Sequence, residues 1–321
     1  MRVLFWGTPH FAVPTLRALS EEGHHVVGVV TQPDRPAGRG RTLTPSPVKQ
    51  MALEEGIPVL QPELPRGEEF LEELRALDPE ISVVVAYGHI LREDVLELPP
   101  MGSWNVHASL LPELRGAAPI HWAIARGFKE TGVTVMRMVR GMDAGPMIHQ
   151  VAVEIDPDDS STELSIRLSE IGAQAMIEAL AFIEMAGVQV QEQDHDAATF
   201  APKVSRQVAR IDWSRTARQV SDHVRGMDDV PGAWTEWQGQ PLKLYGPMLQ
   251  DDDRFEGGPA DPPEATPGTV ISADPDQMPP LVVATADGVV GFRQAQPPGK
   301  RRMDAAAWLR GKGASAGDRL E

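Results

Sequence analysis

The sequence predicts a doubly wound α/β domain followed by a small β-barrel, and three observations carry this prediction. Short β-branched or aromatic runs alternate with helical patterns in the first half of the chain, which is typical of a parallel sheet covered on both faces. After Gly187 the pattern changes to short strands separated by Gly, Pro and Asp, which indicates a small barrel. At 321 residues, the chain also exceeds the size at which a single core usually stops growing.

Six strands and four helices are expected in the first domain. The strands are predicted at residues 3–6, 26–31, 81–86, 104–107, 132–139 and 147–154, and the helices at 14–22, 47–55, 68–77 and 162–186. Ser160 or Ser161 is expected to cap the last helix, because an N-cap hydroxyl accepts a hydrogen bond from the first turn. This domain is assigned to residues 1–188, and the polar, aperiodic segment 189–208 is interpreted as a linker.

The second domain is assigned to residues 209–321. One helix is predicted at 215–226, and strands are predicted at 209–213, 233–237, 241–245, 268–272, 281–285 and 289–294. The acidic, proline-rich stretch 250–267 is expected to form a solvated loop.

Composition excludes several classes of protein. Cysteine is absent, which excludes disulfides, thiolate metal sites and cysteine nucleophiles, and no His and carboxylate cluster predicts a metal. No apolar run approaches the roughly 18 residues that span a bilayer, and the first apolar run is too short for a signal peptide, so a cytoplasmic protein is expected. A net charge of −16 argues against whole-surface attraction to nucleic acid.

Asn105, His107 and Asp143 form the most informative constellation of the sequence. Asn105 and His107 are two residues apart on a predicted strand, so their side chains point to the same side where that strand ends. Ligands of open α/β sheets bind outside the carboxyl ends of strands. Asp143 lies in a glycine-flanked turn between two predicted strands and can converge on the same place. An isolated histidine is more often structural than catalytic, but the grouping favours an active site.

This trio suits one-carbon acyl transfer. An amine that attacks a formyl carbonyl creates an oxyanion, which the Asn105 amide and a protonated His107 can stabilise. Asp143 can orient and charge-stabilise His107, or accept the proton that the attacking nitrogen loses. A dehydrogenase is disfavoured, because the first strand is followed by Gly7-Thr8-Pro9 and not by a dinucleotide-binding glycine pattern.

Basic residues concentrate in two places. Arg39 and Arg41 lie in a glycine-rich loop, and Lys300, Arg301 and Arg302 lie in a cluster near the end of the chain. Such clusters are usually solvated faces. A basic loop beside a catalytic pocket nevertheless favours a partner with a phosphate backbone.

Seven stretches of the chain are long and unusual: residues 5–9, 31–40, 83–88, 105–112, 115–120, 130–134 and 209–213. Together they resemble the methionyl-tRNA formyltransferase family. The Asn, His, Ser-Leu-Leu-Pro and Asp portion would be shared by relatives that formylate other amines. The proline- and arginine-rich loop and Ile211-Asp212-Trp213 favour the tRNA enzyme.

The resemblance implies a Rossmann-like domain that binds 10-formyltetrahydrofolate and a barrel similar to an OB-fold that helps hold methionyl initiator tRNA. It implies that Asn105, His107 and Asp143 are catalytic, and that the folate pocket is bordered by Tyr87, Gly88, Ile90, Ser109, Leu110, Leu111 and Pro112. Arg39 and Arg41 would meet the acceptor arm, and Lys300, Arg301 and Arg302 are assigned to the tRNA surface. No membrane partner and no metal are expected, and the chain is expected to be a monomer.

The sequence departs from the family pattern at two positions, and two alternative functions remain open. Glu113 stands where relatives often have arginine, and Pro146 follows the Asp143 turn where many have an acid. A formyltransferase for an amino sugar nucleotide or another small amine would need neither the basic loop nor the barrel. A non-catalytic RNA-binding protein would leave the trio without a purpose.

Overall fold

The computed structural model describes residues 1–37, 42–185, 189–256, 265–311 and 313–321, which form two compact units. Unit 1 consists of Met1–Pro119, Glu130–Glu154 and Ser165–Ala201, and unit 2 of Ile120–Lys129, Ile155–Leu164 and Pro202–Glu321. Each unit therefore collects several stretches of chain. The segment interpreted as a linker, 189–208, is divided between the two units after Ala201.

Unit 1 is built on a seven-stranded sheet. In chain order its strands are β1 (Arg2–Gly7), β2 (His25–Val30), β5 (Val59–Leu60), β6 (Ile81–Val85), β7 (Ser103–His107), β8 (Glu130–Arg137) and β9 (Met147–Glu154), while β3 (Arg35–Ala37) and β4 (Thr42–Thr44) form a separate hairpin. The spatial order is β5-β2-β1-β6-β7-β8-β9. This order confirms the predicted doubly wound arrangement, and the hairpin was not predicted.

Eight α-helices are described in the chain. They are α1 (Val13–Glu21), α2 (Pro47–Glu54), α3 (Glu68–Ala76), α4 (Glu93–Leu96), α5 (Pro119–Ala125), α6 (Ser161–Glu184), α7 (Ala217–Gly226) and α8 (Ala305–Arg310), with a short 3-10 helix at His10–Ala12. The Ser160 hydroxyl accepts a hydrogen bond of 3.3 Å from the Glu163 N–H, so Ser160 caps α6 as predicted. The Glu163 carboxylate in turn accepts from the Ser160 N–H at 2.9 Å. Within the described ranges, no helix is both long and apolar enough to cross a membrane.

Both faces of the unit 1 sheet are covered. Leu4, Trp6 and Val84 pack on one face against Phe70 and Leu74 of α3 and Val95 of α4. On the other face α6 approaches closely, because a Cβ added to Gly172 would lie 2.8 Å from Val106 Cγ1. Asn105 of β7 lies on the same face as Val84 of β6, because these two residues are register partners.

The sheet is mixed in direction. β5, β2, β1, β6 and β7 run parallel, as the alternating pattern predicts, whereas β8 pairs antiparallel with both β7 and β9. The connection from β8 to β9, residues 138–146, is too short for the crossover that parallel strands require. The connection leaves β8 beside the start of β7, because Arg137 is the register partner of Trp104. It then carries Asp143 to within 3.7 Å of His107.

Unit 2 is built on an antiparallel sheet that its last residues close. The strands are β10 (Trp234–Trp237), β11 (Gln240–Leu249), β12 (Val270–Ala273), β13 (Leu281–Ala284), β14 (Val289–Gln296) and β15 (Met303–Asp304), in the order β10-β11-β14-β13-β12 with β15 beside β14. Leu320 forms a bridge with Trp237 of β10, and Arg319 forms one with Thr269 just before β12. The two edges are thereby joined, and the predicted barrel is confirmed.

One predicted strand, residues 209–213, is wrong. This segment makes only an isolated bridge, between Arg210 and Trp234, and does not continue as a ladder. Its alternation has another cause: Ala209, Ile211 and Trp213 are buried in the core of unit 2. Burial of every second residue therefore indicates an extended segment with one side packed on the core, and such a segment need not be a β-strand.

Phe292 provides a test of the unit 2 core. Its side chain is fully buried and meets the ring of Trp213 edge-on at 5.8 Å between centroids. We expect Phe292→Ala to lower the free energy of unfolding by about 3–5 kcal/mol, measured by urea denaturation, because truncation leaves a cavity. Phe292→Leu should lose less, and Val230→Ala, at a side chain that is 76% exposed, should lose almost nothing. Equal losses in all three variants would contradict this view of the core.

Candidate active site

Asn105 and His107 lie side by side at the end of β7. Because they are two residues apart on a strand, their side chains project from the same face of the sheet. His107 is buried, whereas Asn105 is only partly buried and its amide makes no hydrogen bond to the described residues. The Asn105 amide thus keeps its donors available to a bound molecule.

The tautomer of His107 is determined by a backbone carbonyl. His107 Nε2 lies 3.0 Å from the Leu114 oxygen, and a carbonyl oxygen can only accept a hydrogen bond. Nε2 must therefore carry hydrogen, so the variable position of the ring is Nδ1. Nδ1 lies 3.7 Å from Asp143 Oδ2, which is close enough for an ion pair but too long for a hydrogen bond.

Asp143 is held in place by the segment that follows β7. Its Oδ2 accepts a hydrogen bond of 2.7 Å from the backbone N–H of Gly116. Asp143 adopts a φ of 47°, in the left-handed region that Asp tolerates better than most residues. Gly145 completes the turn, because a Cβ there would lie 1.8 Å from the Arg137 carbonyl oxygen.

The Ser109-Leu110-Leu111-Pro112 loop is fastened to the antiparallel strands. Thr134 Oγ1 donates to the Ser109 carbonyl at 2.7 Å and accepts from the Leu111 N–H at 3.1 Å. Gln150 Nε2 donates to the Leu111 carbonyl at 3.0 Å. The loop therefore has a fixed backbone, with Ser109 and Leu111 buried and Leu110 and Pro112 partly exposed.

Tyr87, Gly88 and Ile90 lie beyond the end of β6 in different environments. Tyr87 is 2% exposed, its ring packs on Trp6, and its hydroxyl has no hydrogen-bond partner among the described residues. Burial raises the pKa of Tyr87 to about 12. Its carbonyl accepts hydrogen bonds from Thr8 and Gln32. Gly88 is required here by its φ of 90°, and Ile90 is 85% exposed. The Tyr87 side chain therefore offers a ligand almost no surface.

The basic residues predicted to contact a phosphate backbone differ in availability. Arg39 and Arg41 lie outside the described residues. In unit 2, Lys300 and Arg301 are exposed, whereas Arg302 lies 2.6 Å from Asp228 and 4.0 Å above the Tyr245 ring. The Arg302 guanidinium is thus already engaged within unit 2.

Four residues of this region were not anticipated from the sequence: Gly116, Thr134, Gln150 and Gln193. Gln193 is buried, although it lies in the polar segment interpreted as a linker, and it donates to the carbonyls of Asp143 and Gly145. Gly116 contributes its backbone N–H, and the other three side chains bond to backbone carbonyls of distant segments. Residue spacing carries no signal of such contacts. No group of three potential metal ligands is found in the part of the chain that the structure describes.

The arrangement offers a carboxylate acceptor, a buried imidazole and an amide donor beside one face of β7. Such a set can stabilise negative charge on a carbonyl oxygen and accept a proton from an attacking group.

Comparison with known proteins extends this description. The profile of the family described as "Formyl transferase" matches residues 1–180, and that of "Formyl transferase, C-terminal domain" matches residues 203–313. The chain is 43% identical to methionyl-tRNA formyltransferase of Bacillus subtilis, over 99% of this chain and 97% of that protein. It is 45% identical to methionyl-tRNA formyltransferase of Methylococcus capsulatus, over 100% and 99%.

Among solved structures, HypX from Aquifex aeolicus in complex with tetrahydrofolic acid has a similar fold. The TM-score is 0.65 at 18% identity, over 96% of this chain. The chain spans about half of HypX, 47% of its length.

The His107 tautomer can be observed directly. We expect the neutral ring to carry its hydrogen on Nε2, because that nitrogen faces the Leu114 carbonyl. Long-range ¹H–¹⁵N NMR spectra distinguish the two tautomers, and the spectrum of His107→Asn assigns the signals. The exposed His10 serves as a control and should show averaged tautomers. A hydrogen on Nδ1 of neutral His107 would contradict the geometry.

Proposed function

The chain belongs to the methionyl-tRNA formyltransferase family, and on this premise we propose that it transfers a formyl group from 10-formyltetrahydrofolate to the α-amino group of methionyl initiator tRNA. Full-length identity above 40% to enzymes of that name supports the reaction. The observation that carries the site assignment is the placement of His107 Nδ1 opposite the Asp143 carboxylate, next to Asn105 on the same strand face.

The reaction needs an amine nucleophile and no covalent enzyme intermediate. A free α-amino group has a pKa of about 7.7–8.0, so neutral amine is present at physiological pH. Its nitrogen attacks the formyl carbon, and the carbonyl π electrons move onto oxygen to give a tetrahedral oxyanion. Collapse of this species breaks the bond from carbon to N10 of the folate. The proton that the amine loses balances the one that N10 gains.

Asn105, His107 and Asp143 are proposed to serve this sequence in different ways. The Asn105 amide and the Nδ1–H of protonated His107 donate to the oxyanion, while the bond from Nε2 to the Leu114 carbonyl holds the ring in place before substrate binds. Asp143 stabilises the imidazolium charge, or accepts the amine proton directly or through water. At 3.7 Å the Asp143–His107 pair is loose, as catalytic contacts often are without substrate.

The folate would bind along the loops that follow β6 and β7. Tetrahydrofolic acid is bound by HypX, which shares this fold. In this chain the Tyr87-Gly88 backbone, Ile90 and the loop from Ser109 to Pro112 are proposed to border the pocket, with Leu110 and Pro112 partly exposed for packing.

The second substrate, methionyl initiator tRNA, is proposed to contact basic side chains of both predicted domains. Lys300 and Arg301 are exposed and suit phosphate contacts, and Arg302 would join them only by sharing its guanidinium with Asp228. Arg39 and Arg41 are proposed to meet the acceptor arm. We retain a catalytic domain at residues 1–188, a linker at 189–208 and a tRNA-binding barrel at 209–321. A cytoplasmic monomer that supports translation initiation fits this function.

The function is tested by incubating the protein with labelled 10-formyltetrahydrofolate and charged tRNA. We expect label on the methionine of initiator tRNA, with much less on elongator methionyl-tRNA. Amino sugar nucleotides and free methionine are the small-amine controls. Rapid formylation of a small amine without tRNA would support the rival enzyme, and tRNA binding without formylation would support a non-catalytic protein.

The catalytic trio is tested by substitution. We expect His107→Asn and Asp143→Asn to abolish turnover while far-UV circular dichroism and Tm stay near the parent values. Asn105→Ala should lower kcat by about 10²–10³, which corresponds to roughly 2.7–4 kcal/mol for one oxyanion donor. Near-normal turnover in either His107→Asn or Asp143→Asn would contradict this mechanism.

A further inference from the structure

Gln193 is a buried side chain that spans a gap between two parts of unit 1. It is 5% exposed, and its Nε2 donates to the carbonyls of Asp143 and Gly145 at 2.8 and 2.7 Å. Its Oε1 accepts from Arg115 Nε and Nη2 at 3.1 and 2.6 Å. Both amide hydrogens and the amide oxygen are thus used. A side chain so fully committed fixes the groups that it touches.

Arg115 is the other half of this contact. It is 6% exposed, and Nη2 also lies 2.9 Å from His195 Nδ1, which must accept because a guanidinium can only donate. The backbone of Arg115 is fastened as well, since its N–H donates to Thr199 and its carbonyl accepts from Ala201. Arg115 therefore serves as a rigid base for Gln193.

Asp143 is reached from this base by two routes. The backbone route runs one residue from Arg115 to Gly116, whose N–H donates to the Asp143 carboxylate at 2.7 Å. The side-chain route runs from Arg115 through Gln193 to the Asp143 carbonyl. The bond from Gly116 holds the Asp143 carboxylate, and the bond from Gln193 holds the Asp143 backbone. Together they leave little freedom for the carboxylate to move relative to His107.

We propose that Gln193, held by Arg115, is a positioning residue that sets the distance from the Asp143 carboxylate to His107. This inference rests on the proposed function, because the benefit of a fixed carboxylate is realised during formyl transfer. Preorganised charge need not reorient when charge develops, and a misplacement of about 1 Å can cost on the order of 100-fold in rate.

The hydrogen-bonding groups of the Gln193 amide predict which substitutions lower the rate of formyl transfer. In Gln193→Ala both donors and the acceptor are lost. Gln193→Glu keeps an acceptor for Arg115 and gains an ion pair with it, but it replaces the N–H groups that face two carbonyl oxygens. The glutamate variant should therefore resemble alanine in rate while it retains more of the thermal stability. A side chain that only fills space would not separate rate from stability in this way.

Kinetics of formyl transfer test the proposal. We expect Gln193→Ala and Gln193→Glu to lower kcat about 10- to 100-fold, with KM for both substrates within about 3-fold of the parent. Gln191→Ala is the matched control, because Gln191 is exposed and pairs with Met147 only through its backbone. It should retain parent kinetics. Unchanged kcat in Gln193→Ala, or a loss that matches the unfolded fraction, would overturn the proposal.

A measurement without turnover separates this proposal from the proposed function. The ¹⁵N signals of His107 should change in Gln193→Ala but not in Gln191→Ala. In protein that already carries Asp143→Asn, the further change Gln193→Ala should leave them unaltered, because Gln193 acts through the Asp143 carboxylate. A further shift in that background would contradict the positioning role. A parent protein that forms no formylmethionyl-tRNA would instead overturn the function, whatever the spectra show.

Discussion

The hydrogen bond from His107 to the Leu114 carbonyl is the interaction on which the rest of the site depends. By holding hydrogen on Nε2, it leaves Nδ1 as the only ring position that changes, and Nδ1 is the nitrogen opposite Asp143. A reversed tautomer would present the carboxylate with a fixed donor and leave the buried carbonyl unpaired, at a cost of about 1–3 kcal/mol. The imidazole is therefore committed to one orientation before any substrate arrives.

The chain that follows β7 supplies most of this orientation. Within a few residues it provides the carbonyl of Leu114, the N–H of Gly116 and the side chain of Arg115. The antiparallel strands provide the rest, since Thr134 and Gln150 hold the preceding turn. The three residues proposed to be catalytic thus lie on a rigid strand and a short connection, and their partners include backbone groups of neighbouring segments.

The sequence could predict the features that depend on local spacing, but not those that depend on contacts between distant segments. Strand alternation and the two-residue spacing placed Asn105 and His107 on one face, because period two is a local property. The antiparallel entry of β8, the burial of Gln193 and the commitment of Arg302 to Asp228 depend on contacts between distant segments. Residues 209–213 show where local spacing misleads. Their apolar and polar residues do alternate, but the cause is packing of every second side chain into the core, and the segment forms no ladder of strand hydrogen bonds. Chemistry and family resemblance suggested the roles proposed for Asn105, His107 and Asp143, whereas the residues that hold them in place are evident only in the folded structure.

The bridges that join β10 to β12 have a consequence for how the chain matures during synthesis. Arg319 and Leu320 pair with residues that are made much earlier, at Thr269 and Trp237. All residues of unit 1 precede Pro202, so they have been synthesised while the ribosome is still elongating the rest of unit 2. The sheet of unit 2, in contrast, keeps two open edges until residues near 320 have left the exit tunnel. Nascent chains are therefore most exposed to edge-to-edge association late in translation.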